Sequence, residues 1–594
     1  LIAACGAAIC HGQNSGLGQD SASAAGQDTA TFGDFPTFAG PLRLAHPAYR
    51  LIDLTPPGFN FRVTGMDLMS NGDLALVTIS DTVSPEMGGG FGDVYLLEGA
   101  RQATSNAIVA KRVYTEGFQV PLGLAVVHDS IFVSDLNGLQ KLVDVDGDGR
   151  ADSIATVFRY PPQDEYRWQI WNMSVLHSGN RFYTGLGAYH YVSEYDPAPC
   201  APYPYRGTIH AAGPDGKYEL IGSGLREPNG LAFGPDGELF ATDNDGEWVP
   251  SNKLVHVRKN AFYGMCLGME WEPGLTHTRP AIWFPELWRS PGQPVLMRTG
   301  PYRGQLAVGD YQILNLDRIF LEKVGGEYQG ALFPFTGGMI TGAIRLVEDG
   351  SGNLYLGEME VHTSESWWYK GELRNRPTHN SYGLQKMLPA GDPPFEMLAV
   401  RATPTGFAIE FTQPAGPLAA AAASYRISQW RYEPTYHYGG PRLDSGALAV
   451  SAVSLSPDGM TANLEIPGLK ADRVVYLQLH RDLRSRAGDP PWAYEAWYTL
   501  NAIPGREIPV QPTGSHEAAA AFAVIRSAAG GPEIRVTLGE GYTLEVQNLR
   551  GDRILTAKAD GPKVFPLGRT LAAGVHTLTI RTREHAYRGV IRPF

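Results

Sequence analysis

The sequence predicts an all-β protein, a six-bladed β-propeller followed by two small β-sandwich domains, and three observations carry that prediction. Gly and Pro are abundant, at 70 and 44 residues, and they punctuate short apolar runs. Turns need both residues and helix interiors exclude them. A unit of apolar alternation, a tight Gly- or Asp-bearing turn and renewed alternation recurs along the first two thirds of the chain. After Pro389 the recurrence stops, while strand-like alternation continues.

Six copies of the unit can be read: MDLMSNGDLALV (66–77), LGLAVVHDSIFVS (122–134), NMSVLHSGNRFYTG (172–185), NGLAFGPDGELFAT (229–242), the degraded PVLMRTGPYRGQLAV (294–308) and AIRLVEDGSGNLYLG (343–357). Their spacing of roughly 50 to 65 residues suits a four-stranded blade with one long loop. Asp-Gly or Asn-Gly between the runs accepts the positive φ of a tight hairpin. Period-two alternation then turns one side of each strand toward a neighbouring blade. One such sheet cannot bury its faces alone, so stacking around an axis is the expected solution.

These boundaries divide the 594 residues into four parts. Residues 1–40 read as a signal-peptide remnant and flexible linker, 41–390 as the propeller, 391–505 as a fibronectin-like sandwich and 506–594 as a smaller C-terminal β-sandwich. LIAACGAAIC at 1–10 is small and apolar and is followed by Gly/Ser/Gln/Ala-rich sequence, which points to an exported protein. Ile2-Ala3-Ala4-Cys5 also fits a lipobox, with a lipid anchor at Cys5. Cys10-His11-Gly12 lacks the C-x-x-C-H spacing of a haem c site. Cys200 and Cys266 are either a disulfide or two separate buried thiols. A net charge of −12 argues against a nucleic-acid partner. No later segment reaches the ~18 apolar residues of a membrane span.

Two constellations could carry chemistry. Asp144-Val145-Asp146-Gly147-Asp148-Gly149-Arg150-Ala151-Asp152 places carboxylates at alternate positions around a glycine turn. Asp144, Asp146, Asp148 and Asp152 would offer side chains, and Arg150 its carbonyl, to a structural Ca²⁺. The second is GLREPNGLAF (224–233) with ATDNDGEW (241–248). Here Arg226, Asn229, Asp243, Asn244 and Asp245 are candidate cofactor-binding residues. Polar residues that follow the second strand of successive copies should converge on one face. Asp135, His190, Asp243, Asp310 and Glu358 form that expected ring, and His190 is the candidate catalytic base. Several Trp residues, Trp248 and Trp283 among them, could stack on sugar rings.

The segments at 224–233 and 241–248, with KLVH (253–256) and NAFYG (260–264), resemble soluble quinoprotein sugar dehydrogenases. YGLQ (382–385) running into FEMLAV (395–400) is similar to secreted proteins of the PQQ-dependent sugar dehydrogenase-like, "membrane-bound dehydrogenase" group. The resemblance spans about residues 60 to 505. It implies PQQ as a cofactor, held by cations such as Arg226, with calcium at its carbonyl, a His base, a sugar or glycan substrate and an electron acceptor. The chain departs from the pattern where the His is expected, at Gln169 to Ser174, and in the cation-poor segment 309–318. Two alternatives therefore stand beside the dehydrogenase: a non-catalytic, calcium-stabilised carbohydrate-binding propeller, and a metal-dependent lactonase or lyase of gluconolactonase-like type with Asn229, Asp243 and Glu358 as cation ligands. GYTLEVQNLRG (541–551) and LAAGVHTL (571–578) resemble type IX secretion sorting domains, departing at Asn548 and His576.

Overall fold

The computed structural model describes residues 44–506 except 60–61, 80–82, 85–88, 107–108, 161–171, 189–205, 214, 266–276, 287–289, 311–314, 360–381 and 436–437, and beyond 506 the strands between 522 and 591. Residues 1–43, Cys5 and Cys10 among them, and His190, Cys200 and Cys266 lie outside the described residues. What is described is all-β: helical geometry is confined to short 3₁₀ turns such as Pro417–Ala420 and Ala422–Ser424 in the Ala-rich run. No described helix is long and apolar enough to cross a membrane.

Each of the six repeat copies forms an antiparallel hairpin that opens a sheet. Arg62–Leu68 pairs Leu74–Ile79, Gly123–Val127 pairs Ser130–Asp135, and Asn172–Ser178 pairs Arg181–Leu186. Gly230–Phe233 pairs Leu239–Asp243, Val295–Leu296 pairs Leu306–Asp310, and Ala343–Glu348 pairs Leu354–Met359. The turns obey the expected chemistry: Gly237, in the cleanest copy, has φ +75°. The second hairpin turns instead on His128 and Asp129, both at positive φ, and Asp129 offsets that strain by accepting from the Ser70 N–H and hydroxyl of the preceding sheet.

Outer strands complete the sheets, whose opening strands neighbour one another in sequence order, the last returning to the first. Where they converge there is no room for a side chain. A Cβ on Gly123 would sit 2.9 Å from the Ser174 carbonyl carbon, and one on Gly230 would sit 2.2 Å from the Gln293 Cα. Arg345, from the sixth opening strand, fills the space between them. Its guanidinium donates to the carbonyls of Thr64, Leu122 and Ile344 and to the Asn229 Oδ1 at 2.6–3.2 Å, so it joins four sheets. The sixth sheet takes its outer strand from the beginning of the described chain: Tyr49–Asp53 pairs Tyr382–Pro389, with Leu51 opposite Met387. Ends far apart in sequence are thereby fastened together.

The boundary near 390 is not a break. The outer strand of the fifth sheet, Glu327–Thr336, pairs with Glu495–Leu500, and the sheet continues through Arg473–Leu479 and Tyr425–Arg431 to Leu443–Leu448, eight strands in all. An edge strand would otherwise present unpaired N–H and C=O groups. A second sheet, built from Met397–Ala402, Gly406–Phe411, Thr461–Glu465 and Ala452–Leu455, shares one apolar core with it. That core includes Phe320 and Phe333 of the fifth sheet beside Phe407, Leu464 and Leu477. At the same junction Arg318, Glu396, His46 and Tyr302 form a fully buried polar cluster. The final strands form a three-stranded and a four-stranded sheet, and Asn548 pairs with His576.

Candidate functional site

Asp135, Asp243, Asp310 and Glu358 all stand at or next to the end of the second strand of their sheets, and all are buried. Burial gives them work inside the fold. The Asp243 Oδ1 accepts the N–H groups of Arg226 and Glu227 at 2.9 and 2.8 Å, pinning the turn that leads into Gly230–Phe233. Its other oxygen lies 3.4 Å from the Lys253 ammonium. Burial pushes this carboxyl up and this ammonium down, and each charge partly restores the other. Asp135 accepts from the N–H groups of Asn137 and Gly138 and caps its own hairpin. Glu358 accepts from the Thr341 N–H at 2.7 Å.

Arg226 is buried as well. Its guanidinium is 3.4 Å from the Glu227 carboxylate and 3.5 Å from that of Glu247, and it lies under the Tyr438 ring at 5.3 Å. Burial alone would lower its pKa, but Glu227, Tyr438, Glu247 and Asp245 together raise it. Tyr438 belongs to the segment that follows Tyr425–Arg431. That segment is stitched over residues 246–250 by main-chain bonds from Trp248 to Thr435, Gly439 to Gly246 and Gly440 to Pro250. Asn229 donates to the Pro291 carbonyl and accepts from Arg345, so both ends of its amide serve the centre of the ring. The Asp245 N–H donates to the Asn252 Oδ1. Asn244 donates to Glu227 at 3.0 Å.

This face leaves several buried polar atoms unmatched. The Asn244 Oδ1, Asn315 Oδ1 and Glu358 Oε1 are buried without a hydrogen-bond partner, as is the Thr341 hydroxyl. Asn315 lies opposite Asp310 across its hairpin, so these atoms come from the fourth, fifth and sixth sheets at the same end of the strands. Burial, which outweighs the Thr341 hydrogen bond, raises the Glu358 carboxyl to about 8.

Three of the predicted calcium ligands come together. Oxygens of Asp144, Asp146 and Asp152 lie within 4.8 Å of one another, at an exposed loop. The loop's own N–H groups order them: Gly147 and Gly149 donate to Asp144, Val145 to Asp152, and Asp148 to Asp146. Asp148 is not in this group and accepts from the Arg150 N–H. Carboxylate oxygens at this separation suit a hard cation. A Cβ on Gly149 would collide with the Arg112 guanidinium, so a cationic side chain already packs on one flank. Among the described residues no other group of His, Cys, Asp or Glu is close enough to share a metal, Asp243 and Glu358 included.

PQQ is a poorer fit to the described residues. Its three carboxylates call for uncommitted cations, whereas Arg226 and Lys253 already stand beside carboxylates. Several residues of this site carry no motif that announces them. Arg345 could have been flagged as a charge at an inward position of AIRLVE, and Lys253 as a cation in an apolar strand; Glu227, Asn315 and Thr341 offered no signal.

No family model matches the chain and no curated protein does. Solved structures similar to it include the PQQ-bound aldose sugar dehydrogenase of Streptomyces coelicolor, at 15% identity over 58% of this chain and 99% of that one, with a TM-score of 0.39. The pyranose dehydrogenase PQQ domain of Coprinopsis cinerea matches at 13% over 58% of this chain and 96% of that one, with a TM-score of 0.37. A virginiamycin B lyase of Staphylococcus aureus matches at 12% over 57% of this chain and 99% of that one, with a TM-score of 0.27. Likeness at this level assigns no activity, substrate or cofactor to this chain.

Proposed function

We propose that the chain is an exported six-bladed propeller, with a β-sandwich fused to its fifth blade, that binds a sugar or glycan at the loop-rich face. The observation that supports this reading is the set of unmatched polar atoms, Asn244 Oδ1, Asn315 Oδ1, Glu358 Oε1 and the Thr341 hydroxyl, on consecutive blades. A polyhydroxylated ligand brings both donors and acceptors and would satisfy the Asn244 and Asn315 amide oxygens as well as the Glu358 carboxyl, which burial keeps protonated and therefore donating. The buried aromatic and aliphatic packing behind them supplies a rigid frame. In this reading Asp243 and Asn229 position the loops, and Arg226 under Tyr438 forms part of the wall beside the ligand. The Asp144 loop holds a Ca²⁺ that stiffens the second blade.

The test is equilibrium binding on the full chain by calorimetry across neutral mono- and oligosaccharides, with parallel titrations of PQQ plus Ca²⁺ followed by quinone absorbance and by dye reduction. Saturable sugar binding without quinone, weakened about tenfold or more by Asn244→Ala, is the expected result. Quinone binding that disappears in Arg226→Gln, with sugar turnover, would replace this reading with the dehydrogenase.

A further inference from the structure

A partly enclosed pocket lies where the fourth sheet meets the far half of the eight-stranded sheet. Its interior is small, about 30 Å³, and opens to solvent. Trp283 and His277 line one side, and Arg431, Arg473 and Thr499 the other, with Arg279 between them. The two sides are tied by the Trp283 N–H, which donates to the Thr499 hydroxyl at 2.7 Å.

Charge is distributed unevenly across this pocket. The three guanidinium side chains are the inner groups, at 9% exposure for Arg279, 14% for Arg473 and 29% for Arg431. Their carboxylate partners sit at the rim: Asp472, 3.1 Å from Arg279, is 55% exposed, and Asp444, 2.5 Å from Arg431 and 3.5 Å from Arg473, is 56% exposed. Glu433, beside Arg431, is equally open to solvent. Ion pairs with a solvated partner are weak and exchange readily. An anion entering the pocket would therefore compete with Asp472, Asp444 and Glu433 for these three guanidinium groups. His277 senses the same field. Its pKa is pushed down to about 4 by burial and by the Lys253 and Arg279 charges, against the opposing pull of Asp472.

We propose that this pocket is a binding site for an oxyanion group, a carboxylate or a sulfate or phosphate, held by Arg279, Arg431 and Arg473. Guanidinium groups present paired N–H donors that match such oxygens two at a time. The site needs both the fourth sheet and the fused region, because neither alone supplies three guanidinium groups. It rests on different residues from the loop-face reading and stands or falls separately.

Full-length protein would be titrated by calorimetry and by thermal shift with sodium sulfate, sodium glucuronate, glucose and sodium chloride, at matched ionic strength. Sulfate or glucuronate should bind saturably and raise the melting temperature beyond the chloride control, while glucose does not compete. Glucuronate binding tighter than sulfate assigns the site to acidic sugars, and the reverse assigns it to free inorganic oxyanions. Arg473→Gln and Arg431→Gln should each weaken binding about tenfold or more. Arg401→Gln, which removes an exposed guanidinium paired with Glu410 elsewhere, should leave it unchanged. The proposal is overturned if sulfate and glucuronate match chloride, or if both pocket variants, shown folded by circular dichroism, bind as the parent does.

Discussion

Replacing Glu396 by Ala tests how the fused region is held. The Glu396 carboxylate is 2% exposed, accepts from the Tyr302 hydroxyl, and lies 3.3 Å from the His46 imidazole and 3.6 Å from the Arg318 guanidinium, which is 0% exposed. Arg318 also donates to the carbonyls of Met397 and Leu398 and to Gln305 at 2.6–2.8 Å. Removing one member of a buried pair strands the other, at a cost of about 3–5 kcal/mol. If residues 44–506 melt as one unit, the unfolding entropy is on the order of 1 kcal/mol/K, so the melting point should fall only about 3–5 °C. Urea unfolding is therefore the better assay, because it reports the free energy directly. Adding Arg318→Met to the variant should recover at least about 1 kcal/mol relative to the sum of the singles. Loss of less than about 1 kcal/mol in Glu396→Ala, or strict additivity, would refute the argument. The pH dependence has a definite sign. Burial alone would raise the Glu396 carboxyl, but Arg318, with His46 and Tyr302, holds it below its ordinary value. A depressed carboxyl stabilises the fold above its unfolded value and loses that contribution as the pH falls through the folded one. The stability gap between parent and Glu396→Gln should therefore narrow below about pH 4.

Other expectations follow from single features. Glu358, raised to about 8 by burial, holds a proton in the native state that the unfolded chain releases near the ordinary value of 4.5. Stability from this group therefore falls as the pH climbs between those values, and Glu358→Gln should gain on the parent by on the order of 3–5 kcal/mol at pH 9 while matching it near pH 5; equal effects at both pH values would contradict this. Chelation of calcium should lower the melting temperature if the Asp144 loop is a structural site, and Asp144→Asn should abolish that response. Arg345→Met should destabilise by about 3 kcal/mol or more, since it leaves buried carbonyls on three sheets without their donor; a neutral result would show that the centre is held otherwise. A chain ending at 390 should aggregate, because it bares Phe320, Phe333 and the edge of Glu327–Thr336; a monodisperse, cooperatively folding fragment would refute the fusion.

The hairpins were legible because alternation and turn chemistry are local, and each copy needed only about a dozen residues to show itself. The degraded copy at 294–308 reads poorly for a physical reason: its opening strand is only Val295–Leu296, too short to show a period. Long-range pairing left no local trace. Nothing in Glu327–Thr336 names Glu495–Leu500 as its neighbour, and nothing in Tyr49–Asp53 names Tyr382–Pro389. The site residues were legible by type and position but not by task. Asp243 reads as a ligand because it ends a strand on the loop face, yet its oxygens are taken up by the Arg226 and Glu227 amides and by Lys253. The alternate carboxylates at 144–152 were readable as a loop, while the absence of Asp148 from the cluster was set by the local turn, in which it accepts from Arg150.

The most direct test of the loop face is a calorimetric titration of one purified preparation with a neutral oligosaccharide series and, separately, with PQQ and Ca²⁺. Saturable sugar binding that needs no quinone and weakens in Asn244→Ala is the result the unmatched polar atoms predict. Tight quinone binding lost in Arg226→Gln, with no sugar binding in its absence, would contradict it.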